Sequence, residues 1–244
     1  MLHPVEGEIF YVDKPLTWTS FDVVKRVRGE LSRRTKIKKL KVGHAGTLDP
    51  LATGVLILCT GRATKRIEAL QSGVKEYIAT LRLGATTPSF DLEHEIDQTY
   101  PTEHITREDV ERALSSFVGE IMQVPPVFSA CKVEGKRAYD LARMGQKAEE
   151  VQLKAKPLRI DEIELLEADL GGEAPSITIR VVCSKGTYIR ALARDIGEAL
   201  NSGAHLTALR RTRVGEYGEK DCFTLESFEE WLAQQDVETE LPAS

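Results

Sequence analysis

Gly43-His44-Ala45-Gly46-Thr47-Leu48-Asp49-Pro50-Leu51-Ala52-Thr53-Gly54 runs directly into Val55-Leu56-Ile57-Leu58-Cys59. A polar loop punctuated by glycine thus precedes a short apolar run bounded by Gly54 and Gly61, which reads as a buried strand. The glycines permit positive φ and let another segment approach the backbone closely. Pro50 biases Asp49 toward an extended conformation, so a carboxylate is presented on a stiff loop with His44 and Thr47 beside it. The loop is not a phosphate-cradling Walker motif, because Gly54 to Gly61 lacks the following Lys-Ser/Thr. Taken alone, it also admits a plain turn in which Asp49 bonds backbone amides.

Outward from this stretch, Gly7 to Val12 reads as a strand. Ser20 reads as the cap of a helix with Phe21, Val24, Val27 and Leu31 on one face. Thr64 to Leu70 reads as helical, and Glu76 to Leu83 alternates as a half-buried strand does. Thr86 to Thr102 reads as a polar connection. Thr106 with Asp109 forms a capping box for a helix ending near Gly119. Lys132 to Lys136 turns back on itself, and Ala138 to Met144 reads as a helix. Arg159 to Leu166, Ile177 to Cys183 and His205 to Val214 read as strands, Tyr188 to Leu200 and Ser227 to Gln234 as helices. Separate strands and helices without strict alternation predict the α+β class.

The 244 residues carry a formal net charge of −5, with 41% hydrophobic and 29% charged residues, an ordinary globular composition. The longest apolar run is Val55 to Cys59, far short of the ~20 residues of a membrane helix. The four scattered cysteines lack the spacing of a zinc or redox site and suit a reducing cytoplasm. The charge is uneven. Lys25 to Lys41 holds nine basic residues against Glu30, and Glu216 to Glu240 holds nine acids against Lys220. Affinity for phosphate follows local cation density, so the basic segment reads equally as a solvated loop or as a nucleic-acid surface. The acidic run Asp91, Glu93, His94, Glu95, Asp97 lacks the tight Gly turn of a calcium loop and reads as solvated, with no metal.

The Gly43 to Gly54 stretch resembles the catalytic motif of the TruB family of tRNA pseudouridine synthases. Four further segments resemble that family in the same order. They are Val12-Asp13-Lys14-Pro15 with Trp18-Thr19-Ser20-Phe21; Lys75-Glu76-Tyr77 with Leu81-Arg82-Leu83-Gly84; Pro125 to Ala130 with Lys132, Gly135, Arg137 and Tyr139; and Gly186-Thr187-Tyr188-Ile189-Arg190 with Leu209-Arg210-Arg211. The resemblance implies a mixed, mainly antiparallel central sheet flanked by helices, with an RNA-gripping insertion at about 125–146. A catalytic domain would cover 1–215, followed by an acidic helix and frayed tail over 216–244 without a PUA domain.

The implied reaction turns the T-loop uridine of tRNA, position 55, into pseudouridine, with no cofactor. Asp49 is the implied catalytic carboxylate, acting by covalent attack at C1′ or by removal of a sugar proton. Arg190 is its paired cation, and Tyr77 stacks on the detached uracil. Tyr188 and Leu209 complete the pocket, Asp91 makes a polar contact near it, and His44 helps hold the flipped-out nucleotide. Lys14, Lys132, Arg137, Arg210 and Arg211 meet phosphates. The implied partner is the T stem-loop of tRNA, met by a cytoplasmic monomer. A glycoside hydrolase, which also attacks an anomeric carbon, normally needs two carboxylates flanking the bond, and only one is well placed here.

Overall fold

The computed structural model describes residues 1–129, 132–133, 136–137 and 153–237. The expected helix at Ala138 to Met144, like most of the 125–146 insertion, lies outside these residues. In chain order the strands are β1 (Ile9–Lys14), β2 (Val42–Ala45), β3 (Ala52–Thr60), β4 (Lys75–Leu83), β5 (Ala85–Thr86), β6 (Gln98–Thr99), β7 (Gly119–Gln123), β8 (Lys132–Val133), β9 (Lys136–Arg137), β10 (Lys156–Asp169), β11 (Ser176–Cys183), β12 (Ala204–Val214) and β13 (Tyr217–Gly218). The helices are α1 (Ser20–Thr35), α2 (Ile67–Gln71), α3 (Arg107–Ser116), α4 (Ile189–Ala199) and α5 (Leu225–Ala233). The α+β class is as expected. Among the described residues no helix is long and apolar enough to cross a membrane.

The chain forms two compact units: Met1–Glu76 with Arg210–Ser244, and Tyr77–Leu209. In the first, β3 pairs antiparallel with β1 and β2, and β13 with the end of β12. Phe10 and Val12 alternate inward along β1 and pack on Val23, Val24, Val27 and Leu31 of α1. Thr19, not Ser20, caps α1. Its hydroxyl accepts from the Asp22 amide at 3.0 Å, and the Asp22 carboxylate accepts from the Thr19 amide at 3.1 Å. Phe21 stays 53% exposed because Val23 takes the inward position, and the Lys25 ammonium lies 4.9 Å from the Phe21 ring centre. The segment expected to be one helix from Thr64 is a 3₁₀ turn over Gly61–Arg66 that leads into the short α2.

The acidic C-terminal segment is more ordered than its charge suggested. Leu225, Phe228 and Leu232 of α5 are buried against β1 and α1, each stabilising by roughly 2 kcal/mol. Beyond the helix, the Leu2 amide donates to the Asp236 carbonyl at 2.7 Å. The tail is therefore paired as far as Val237, and only 238–244 lie outside the described residues.

In the second unit, β10 pairs antiparallel with β7 and β11. On the part of β4 in this unit, Tyr77, Ala79, Leu81 and Leu83 face inward, the expected alternation. The Thr106–Asp109 capping box opens α3 as expected, and Val110 and Leu114 are buried. β8 and β9 pair antiparallel with Lys132 opposite Arg137.

Candidate active site

In the first unit, the loop between β2 and β3 is gripped from three sides. Lys14 ends β1 on its inward face and is fully buried. Its ammonium donates to the carbonyls of Pro15 (3.0 Å), Trp18 (2.5 Å) and Pro50 (3.3 Å). Ser20 accepts from the Leu48 amide at 2.9 Å and donates to the Leu48 carbonyl at 3.1 Å, while the Thr17 amide donates to the Pro50 carbonyl at 2.8 Å. From β12, the Arg211 Nε donates to the Val55 carbonyl (2.8 Å) and its terminal nitrogen to the Gly46 carbonyl (3.0 Å). Gly54 has φ +104°, and a Cβ there would lie 2.1 Å from the Arg211 carbonyl oxygen, so the close approach of β12 requires glycine.

Asp49 itself is partly exposed within this frame. Burial pulls the Lys14 ammonium down to about 8. The Asp49 carboxylate opposes that pull and the Arg211 charge reinforces it. Burial, then the Arg211 charge, holds the His44 imidazole below its ordinary value, so it is mainly neutral at pH 7.

The phosphate-binding expectation does not hold for Lys14 and Arg211, since both are buried and spend their donors on loop carbonyls. The alternation Phe10, Val12, Lys14 is the signal that reveals the burial of Lys14. Arg210 is half-buried and forks onto the Asp13 carboxylate at 2.8 and 3.1 Å, with Glu219 as a second acidic partner and the Thr53 hydroxyl at 3.2 Å. With Asp13, Lys14 and Thr53 it lines a cleft of about 240 Å³.

In the second unit, Arg190 lies in the first turn of α4 and is 5% exposed. Its guanidinium donates to the carbonyls of Ser89 (3.2 Å) and Phe128 (2.8 Å) and lies 3.8 Å from an Asp91 carboxylate oxygen. Asp91 is buried, contrary to the solvated-loop expectation, while Glu93, Glu95 and Asp97 are exposed. One Asp91 oxygen accepts from the Ser89 hydroxyl (2.6 Å) and the Glu93 amide (2.9 Å), so the charge is compensated where it lies.

Tyr188 is the N-cap of α4 with no cap bond from its own side chain. The buried Gln123 side chain instead accepts from the Tyr188 amide (2.9 Å) and donates to the Tyr188 carbonyl (3.2 Å). Gln123 and Ser20 are supporting residues that no local pattern marks. Tyr77 is 7% exposed on β4 and Leu209 is half-buried. The side chains of Lys132 and Arg137 lie outside the described residues. Among the described residues no group of three or more His, Cys, Asp or Glu is placed to hold a metal.

Two family models cover most of the chain: the TruB family pseudouridylate synthase N-terminal domain over residues 33–189, and the tRNA pseudouridylate synthase B C-terminal domain over 190–243. The chain belongs to the TruB family of pseudouridylate synthases. It is 71% identical to the tRNA pseudouridine synthase B of Phocaeicola vulgatus over 96% of each chain, and 70% identical to that of Bacteroides fragilis over 96% of this chain and 97% of the other. Among solved structures it is similar to a chain in the crystal structure of a Cbf5–Nop10–Gar1 complex, with 30% identity and a TM-score of 0.69. That likeness covers 94% of this chain and about half, 55%, of the solved one.

Proposed function

We propose that this chain isomerises the T-loop uridine of tRNA, position 55, to pseudouridine, with Asp49 as the catalytic carboxylate. The observation that carries this reading is the braced loop of the first unit: a partly exposed aspartate whose backbone neighbours are tied to buried Lys14, Ser20 and Arg211. Such bracing holds the backbone that carries the carboxylate, which favours a reaction needing little rearrangement of the loop.

The N1–C1′ bond breaks, the uracil turns, C5 bonds to C1′, C5 gives up its proton and N1 gains one. Asp49 acts either by attacking C1′ or by removing a sugar proton, and both routes need it ionised. Arg190 is the proposed cation beside it. Its hold on Ser89, Phe128 and Asp91 orients the guanidinium in advance. Tyr77, Tyr188 and Leu209 wall the base, and neutral His44 helps hold the nucleotide out of its stack. The chemistry is assigned to residues 1–215, with α5 supporting β1. The partner is the T stem-loop, and the enzyme works as a monomer in the cytoplasm.

The test incubates the protein with a tRNA transcript tritiated at C5 of uridine. Tritium release by the wild type, lost in Asp49→Asn with tRNA binding retained, supports the reading. Binding without release by the wild type overturns it.

A further inference from the structure

The nine cations between Lys25 and Lys41 do not behave alike. Four of the five within α1 are matched inside the fold: Lys25 with Asp22, Arg26 with Glu30 and Glu229, Arg33 with Glu30, and Arg34 on the carbonyls of Ala233 and Gln235. After Thr35 the pattern changes. Lys36, Lys38, Lys39 and Lys41 are exposed, and among the described residues none has an ion-pair partner. The segment is nonetheless fixed, because Leu40 is buried and Ile37 packs against the same core.

Lys39 and Lys41 face a second basic pair. The Lys41 carbonyl accepts from the Gly61 amide at 2.8 Å, and the 3₁₀ turn that Gly61 begins carries Arg62 and Lys65. All four cations line one open cleft of about 320 Å³ with Ile37 and Leu40 in its wall. Only Arg62 has an acidic partner, Glu6 at 2.8 Å. The turn requires glycine at 61, since a Cβ there would lie 1.9 Å from the Val5 carbonyl oxygen.

We infer that this cleft is a second RNA-binding site, taking backbone phosphates of the tRNA substrate outside the stem-loop that bears the target uridine. Charge complementarity selects the occupant: three unmatched lysines on a pinned frame attract a polyanion. Position selects which part of the polyanion. Asp49 precedes the start of β3 and the cleft lies beyond its end, so along the strand the two are separated by roughly 25 Å. That is too far for the cleft to grip the flipped nucleotide, and it suits a more distant part of the same RNA. The inference rests on tRNA being the substrate, as proposed above.

The test compares the wild type with the triple variant Lys39→Gln, Lys41→Gln, Lys65→Gln on full-length tRNA transcript and on an isolated T stem-loop. Direct binding is measured across salt concentrations beside tritium release. The expected result is a KM for full-length tRNA raised about tenfold and a log K against log salt slope reduced by about two units. The KM for the stem-loop should move less than twofold. An unchanged salt slope on full-length tRNA overturns the inference. An equal loss on both RNAs also overturns it, because the cleft would then serve the target arm. Tripolyphosphate bound at the cleft without competing with tRNA overturns it too, leaving a site for a free anion. Absence of tritium release by the wild type on either RNA would sink the enzymatic reading, while the binding slopes still decide the cleft.

Discussion

Lys14 and Arg211 on one side, and Lys36 to Lys41 on the other, are cations of the same first unit with opposite employment. The first two are buried and give every assigned hydrogen bond to a main-chain carbonyl of the loops around Asp49 or of β3. The second group is exposed and matched to nothing in the described fold. A buried cation needs satisfied donors and so becomes a brace, whereas an exposed one keeps its charge for a ligand. Both kinds look the same as letters in a sequence.

The sharpest way to break that contrast is to remove a brace. Arg211→Met leaves the Gly46 and Val55 carbonyls without their donors and should cost about 3–5 kcal/mol, read from the denaturant midpoint at constant m. Wild-type stability would show that Arg211 is a passenger.

Acidity gives the next largest effect. Lys14 has an ordinary value of 10.5 and falls to about 8 in the fold. Between those values the unfolded chain binds more protons than the folded one, so the burial penalty is full below pH 8 and is relieved as pH rises toward 10.5. The relief amounts to roughly 3 kcal/mol. Chemical denaturation of the wild type against Lys14→Met between pH 7.5 and 10.5 should show this rise in the wild type only.

At pH 7 Lys14→Met loses three donors but also the cost of a buried charge. Its net destabilisation should be about 2 kcal/mol, with a larger fall in kcat than in tRNA affinity as the Pro50 carbonyl loosens. A fall in affinity alone would return Lys14 to the phosphate-binding group. The smallest effect belongs to the outer cations. Lys39→Gln with Lys41→Gln should change folding stability by less than about 0.5 kcal/mol in the same assay. A larger loss would mean that these lysines hold the fold as well.

The same contrast explains what the sequence made legible. The loop at Asp49 could be read because its signals are local: glycines, a proline and an apolar run within 17 residues, Gly43 to Cys59. The alternation of β4 and the capping box at Thr106 were readable for the same reason. What escaped depends on partners far along the chain. Lys14 reaches Pro50, 36 positions away, and Arg211 reaches Gly46, 165 positions away. Asp91 looks like its exposed acidic neighbours in the sequence, but its burial comes with Arg190, which no local pattern announces. The acidity of α5 likewise masked an apolar stripe whose counterpart is β1, near the other end of the sequence.

The division of the first unit bears on how the molecule is made. Its core joins Phe10 and Leu31 to Phe228 and Leu232, while the 133 residues from Tyr77 to Leu209 form a unit of their own between them. During synthesis the later unit in space is the earlier one to be complete: Tyr77–Leu209 has its full set of strands before Arg211 exists to clasp the Gly46 turn. A ribosome-bound chain stalled before position 211 would therefore carry Asp49 on a loop held by Lys14 and Ser20 but without the Arg211 clasp on the Gly46 turn. Completion of this loop's support is thereby tied to translation of β12, near the end of the chain.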